Sequence, residues 1–149
     1  MLSPLVLSYG LVVCVTVIAV IANVVVHYEA LNLLTRRMRD SALPPRPRIL
    51  LLIFALLMTH VTEIWIFGAA YFVLIGDGAH GALVAPYPMG LLDCVYFSAV
   101  CYTTLGLGDI APVGPIRFLV GTETLTGFLI ITWSASFTFV EMERYWRPR

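Results

Sequence analysis

Three long apolar runs dominate the chain, and the segments between them differ sharply in character. Residues 5–26 (LVLSYGLVVCVTVIAVIANVVV) carry no charge. Residues 49–75 (ILLLIFALLMTHVTEIWIFGAAYFVLI) are interrupted only by His60 and Glu63. Residues 116–140 form the third run, with Arg117 and Glu123 near its start. A helix crosses the hydrocarbon core of a bilayer with about 20 mostly apolar residues, so each run predicts a membrane span. The second is long enough to tilt or to project beyond the core. The first predicts a helix that continues past the bilayer as HYEALNLLTRRMR, with Leu31, Leu34 and Met38 on one side. Pro44, Pro45 and Pro47 then predict a break before the second span begins.

A fourth apolar stretch, Leu91 to Val100, is too short to cross. Its length suits a re-entrant segment or a buried core helix. Irregular backbone at membrane depth is tolerated only where protein or a water-filled cavity surrounds it. The fold expected is therefore an all-α membrane protein of three transmembrane helices with a re-entrant piece inside residues 86–113.

Composition sharpens this picture. The chain has 149 residues, of which 60% are hydrophobic and only 12% charged, whereas soluble domains carry about 25% charged residues. Nine basic and nine acidic residues give a formal charge of zero, without the basic footprint of a nucleic-acid binder. Every basic residue is arginine, and placement matters more than number. Arg36, Arg37, Arg39, Arg46 and Arg48 lie between the first two runs, and Arg144, Arg147 and Arg149 follow the third. The positive-inside rule makes both segments cytoplasmic, with the N-terminus and residues 77–115 outside. Met1-Leu2-Ser3-Pro4 lacks the basic start of a signal peptide, so the first run is expected to be retained. The arginines between the first two runs either set topology alone or also hold anionic lipid head groups, at about 1 kcal/mol per residue.

Chemistry is sparse. Cys14, Cys94 and Cys101 are an odd number in apolar surroundings and read as plain buried thiols. No His or Cys pair has zinc-ligand spacing, so no cofactor and no metal beyond permeant ions is expected. There is no activated nucleophile and no phosphate loop, so an enzyme is not expected. No run carries arginine at every third position, which excludes a voltage-sensor helix of the usual kind.

The informative segment is LLDCVYFSAVCYTTLGLGDIAPVGP. Asp93 near the start of a short helix suits the positive end of the helix dipole, and the negative end arrives near Thr103 and Thr104. Gly106 and Gly108 then alternate with Leu105 and Leu107. Glycine permits positive φ, so such an alternation can point successive carbonyls to one side. Four such strands around an axis give stacked oxygen rings that replace a cation's hydration shell.

TTLGLGD resembles the TVGYGD-type filter of the potassium channel pore-domain family. Asp93-x-x-Tyr96-Phe97-Ser98 is similar to that family's pore helix, and the following run with Gly127 to its inner helix. The resemblance covers about residues 49–142, leaving 1–48, an N-terminal helix and Arg-rich loop, and the short tail 143–149 outside it. It implies selective passive K+ conduction through a homotetramer in a plasma membrane of bacterial type. The backbone carbonyls of Thr104, Leu105, Gly106 and Leu107 would bind K+, with Gly108 completing the strand and the Thr104 hydroxyl forming the innermost ring. Asp109 would stand at the outer mouth, with Asp93, Thr103 and Glu63 supporting the pore helix. Leu107 stands where Tyr or Phe is usual and Leu105 where Val or Ile is usual. An aliphatic Leu107 lacks the phenolic bond that braces many filters. A weakly selective Na+/K+ pore and a non-conducting membrane subunit of a larger complex are the alternatives.

Several positions keep two readings. Glu63 either braces the back of the pore helix, or meets Glu123 or Thr124. Alternatively it forms a proton-sensing pair with His60, three positions away and on the same face. Gly127 is either a hinge or a site of close helix approach. Ile130, Ile131, Ser134 and Thr138 are expected to face a cavity, and His27 to sit at the inner membrane boundary. His80 is expected in the outer loop with Asp77. Trp146 suits an interfacial anchor, while Trp65 and Trp133 are expected to pack between helices.

Overall fold

A computed structural model describes residues 4–39, 44–76 and 78–146. Asp77, Arg147, Arg149 and the Trp146 side chain lie outside the described residues. The elements are α1 (Pro4–Arg39), α2 (Pro45–Ile75), β1 (Ala82–Val84), α3 (Leu91–Tyr102), β2 (Ala111–Val113) and α4 (Arg117–Trp146). The two short strands pair antiparallel, with Leu83 opposite Pro112. Three helices, α1, α2 and α4, are long and apolar enough to cross a membrane, as the three apolar runs predict. The protein is an all-α membrane protein, with the short α3 set between the second and third spans.

The helices outrun the apolar segments. At 36, 31 and 30 residues they reach roughly 45–54 Å at 1.5 Å per residue. Their ends therefore stand beyond a hydrocarbon core of about 30 Å. The proline cluster does not hold the second span back to residue 49. Pro44 is the N-cap of α2, and proline occupies its first turn. The first backbone N–H groups of a helix have no intrahelical partner, so proline loses nothing there. The five arginines between the first two runs consequently lie on two helix ends. Arg36, Arg37 and Arg39 lie in the last turn of α1, where the helix dipole favours cations. Arg46 and Arg48 lie in the first turns of α2.

The helices α1 and α3 each pack against both α2 and α4. One end of this unit is pinned near the start of α1. Ser8 Oγ donates to the Ala79 carbonyl (2.8 Å) and lies 2.9 Å from His80 Nδ1. The Ile116 N–H donates to the His80 carbonyl just ahead of α4 (3.1 Å). The end of α1, the start of α2 and the end of α4, with Arg144, lie toward the opposite end, while Arg117 opens α4 at the pinned one. Phe67, Tyr71, Phe97, Tyr102, Leu119 and Ile130 belong to the main buried cluster. Leu31, Leu34, Leu52 and Leu56 form a smaller one toward the arginine end. Large apolar side chains such as Leu7, Ile18, Phe54, Val73 and Phe139 point outward, as lipid-facing or subunit-facing positions do. Cys14 is exposed on α1, contrary to the buried-thiol expectation; Cys94 is buried and Cys101 partly so. The reason is that α1 packs on one side only and leaves its other face bare.

Two glycines let helices close on α3. A Cβ on Gly68 of α2 would lie 2.7 Å from Val95 Cγ2 and 2.8 Å from Val95 Cα. A Cβ on Gly127 of α4 would run into the Tyr102 carbonyl and Cα. The helix α4 continues unbroken through Gly127, so the geometry makes this glycine a packing position, as small residues are between membrane helices. Gly127→Ala is expected to push α4 off the last turn of α3. Overpacking of this kind costs about 1–3 kcal/mol, and a lowered melting temperature of the detergent-solubilised protein checks it.

Candidate functional site

The site grows from the two ends of α3. At its start the Gly90 N–H donates to Asp93 Oδ2 (2.8 Å), which places a carboxylate at the positive end of the helix dipole. At its end the backbone folds back on the last turn. The Thr103 N–H donates to Ala99 (3.1 Å), the Thr104 N–H to Cys101 (3.0 Å) and the Leu105 N–H to Val100 (3.0 Å). Thr103 adds its hydroxyl, donating to the Ala99 carbonyl (2.7 Å).

Beyond this anchor the chain alternates. Thr104, Gly106 and Gly108 have φ of 61°, 60° and 81°, and no other non-glycine among the described residues has a positive φ. Glycine adopts this region freely. A β-branched threonine does not, so Thr104 is held in a strained conformation of the kind found at functional sites. Alternation of the two signs of φ is the pattern expected for carbonyls that share one side. Residues 103–109 are all exposed in the single chain. The far end is tied back as well, because the Tyr96 hydroxyl of α3 donates to Asp109 Oδ2 (2.8 Å). That hydrogen bond raises the Tyr96 phenol above its ordinary pKa. The missing brace at Leu107 is thus accompanied by a different one, two residues on. Asp109, expected as a mouth charge, is also a structural acceptor.

Behind this segment sit two fully buried carboxylates, each with its own partners. Glu63 Oε1 lies 2.9 Å from His27 Nδ1 of α1, and Glu63 Oε2 lies 2.9 Å from His60 Nδ1. The Tyr102 hydroxyl, on the last residue of α3, donates to Glu63 Oε2 (2.5 Å) and lies 3.1 Å from His60 Nδ1. The His27 ring stacks on His60 at 5.5 Å, with Trp133 on it at 5.2 Å. Its Nε2 reaches Ser134 Oγ of α4 at 3.3 Å. Glu123 instead accepts from the Tyr71 hydroxyl. Ser98 Oγ lies 2.5 Å from Glu123 Oε1 and 2.9 Å from the Ile64 carbonyl, sharing its one proton between them. Glu63 therefore holds the end of α3 and Glu123 its middle. Burying a charge is costly unless partners surround it, and here every helix contributes.

The structure revises several expectations. Glu63 is bonded to neither Glu123 nor Thr124, whose hydroxyl donates within α4 to Val120 (2.9 Å). α1 runs on past His27 to Arg39, as HYEALNLLTRRMR predicts, and the His27 ring is wholly buried. Ile130 and Ser134 are buried inside the four-helix unit rather than open to a cavity. Trp65 and Trp133 are 42% and 41% exposed, so neither is enclosed between helices of the chain. His80 does lie in the connection after α2, engaged by Ser8. His27, Tyr71 and Tyr102 were missed as partners of the carboxylates. The available signal was a polar group standing in or beside an apolar run. Donor atoms of His27, His60 and Glu63 also lie within 4.8 Å of one another, a metal-compatible grouping that spacing along the chain does not reveal.

Comparison with known proteins gives one finding. Residues 59–144 match the family model described as "Ion channel". No curated protein and no solved structure matches the chain. The matched span takes in part of α2, all of α3, residues 103–109 and nearly all of α4, and leaves α1 outside.

Proposed function

The chain belongs to the ion channel family, and on that premise we propose that it conducts K+ selectively through a pore formed by four copies of residues 103–109. Family membership makes it a multi-pass membrane protein of the channel class. The observation that carries the finer reading is the alternation of positive φ at Thr104, Gly106 and Gly108 in an exposed segment pinned at both ends. One such strand offers a single edge of carbonyls, and a ring requires closed cyclic symmetry. In the tetramer, the carbonyls of Thr104, Leu105, Gly106 and Leu107 replace the hydration shell of the ion. Gly108 completes the turn to Asp109, whose charge concentrates cations at the mouth. The C-terminal end of α3 faces the inner cavity and favours a cation there.

In this reading Asp93, Thr103 and Glu63 hold α3 in place. The arginine-bearing helix ends are cytoplasmic, the N-terminus is outside, and the membrane is a plasma membrane of bacterial type. Arg36, Arg37, Arg39, Arg46 and Arg48 sit where anionic head groups would meet them. Conduction in this reading calls for no cofactor beyond the permeant ions.

Leu107 favours one second reading, a weakly selective Na+/K+ pore, because an aliphatic side chain donates no bond to stiffen the strand. Reversal potentials of the purified protein in planar bilayers separate the two. Under opposing K+ and Na+ gradients the current is expected to reverse near the K+ equilibrium potential. Reversal near zero supports the weakly selective pore. Absence of current, with a monomer in detergent, supports a non-conducting subunit.

A further inference from the structure

We propose that His27, His60 and Glu63 form a binding site for one divalent transition-metal ion of the zinc class, located behind the end of α3. Two imidazoles and a carboxylate are the donor set that borderline-soft cations take. Their donor atoms converge within 4.8 Å from two different helices. Both oxygens of Glu63 are turned toward ring nitrogens, at 2.9 Å each. His27 and Glu63 are fully buried, while His60 is 18% exposed, which leaves one open side for an ion to enter.

The outer partners fit the same reading. A metal-bound histidine normally donates its second ring N–H to a fixed acceptor, which selects the tautomer. His27 binds through Nδ1, and its Nε2 lies 3.3 Å from Ser134 Oγ on α4. The Tyr102 hydroxyl already holds one Glu63 oxygen at 2.5 Å, which orients the carboxylate. Only an unprotonated nitrogen is a ligand, so a proton on either Nδ1 must move to Nε2 of the same ring or leave before the ion binds. The titratable groups facing the site are His27 of α1, His60 and Glu63 of α2, and Tyr102 of α3. From α4 come the neutral Ser134 and Trp133, while Glu123 is engaged by Tyr71 and Ser98.

The consequence is a clamp. α1 lies outside the family match, and its His27 would be fastened by the metal to α2, next to the residue that precedes the Thr103–Asp109 segment. The inference stands on the side-chain cluster alone and does not depend on the ion that permeates.

The test is titration of the full-length protein in nanodiscs with Co2+, followed by visible d–d absorption, then displacement by Zn2+. Wild type is expected to bind one Co2+ per chain saturably, with the strong absorption of a low-coordinate site. His60→Gln is expected to weaken binding at least about tenfold, and Ser134→Ala about tenfold, the range typical for loss of an outer partner. Zn2+ is expected to raise the melting temperature of wild type but not of His60→Gln. Failure of folded wild-type protein to give a saturable low-coordinate spectrum overturns the proposal. So does binding that a folded His60→Gln variant leaves unchanged.

Discussion

Gly106→Ala is expected to abolish K+ flux into proteoliposomes while leaving the chain folded. Gly106 has φ +60°, and a Cβ there would meet nothing within 4 Å of its own chain. The substitution therefore adds no clash within the protomer, and its effect is confined to the backbone. Holding an L-residue in the left-handed region costs about 1–2 kcal/mol. If four strands close one ring, that becomes about 4–8 kcal/mol for the assembly, summed from the same per-residue figure. Relaxing any one strand turns its carbonyl away and breaks the ring for all. Gly10→Ala is the matching control: its site on α1 is equally open, with no positive φ, and flux is expected to stay within about twofold, since alanine is the better helix residue. Wild-type flux in Gly106→Ala would argue against the carbonyl ring, whatever the ion.

The features that support this expectation were legible in the sequence, because they are local. Apolar run length marks a span, a short run marks a helix that does not cross, and alternating glycine marks an unusual backbone. Each needs only neighbours along the chain. What escaped is what depends on how the helices are rotated. A helix that is apolar all round has no polar face to say which side turns inward, so Ile130 and Ser134 were assigned to a cavity and are buried instead. His27 follows an apolar run, and nothing along the chain says that its ring turns inward to Glu63. The Glu63 partners come from α1, α2 and α3, and no spacing rule joins residues 27, 60, 63 and 102. Proline misled for another reason: it breaks helix interiors but suits first turns.

The same buried cluster carries the second large expectation. His27→Leu, measured in chelator so that no metal contributes, is expected to destabilise the detergent-solubilised protein by about 3–5 kcal/mol, the cost of leaving a buried carboxylate without one of its partners. Both His27 and Glu63 have side chains fully shielded from solvent, so the carboxylate left behind cannot recover its loss from water. His60 and Tyr102 remain on the other oxygen, but Oε1 loses its partner. Adding Glu63→Gln to His27→Leu is expected to restore part of the loss, because the amide is neutral and keeps an acceptor for Tyr102. A double-mutant cycle measured by thermal unfolding gives the coupling directly. A coupling of several kcal/mol makes α1 a working part of the channel, since its histidine is a partner of the carboxylate that holds the last residue of α3. A coupling near zero means that the His27–Glu63 contact contributes nothing and that α1 adds only packing against the other two spans. The distinction decides what the helix outside the family match contributes, because α3 leads directly into the segment that lines the proposed pore.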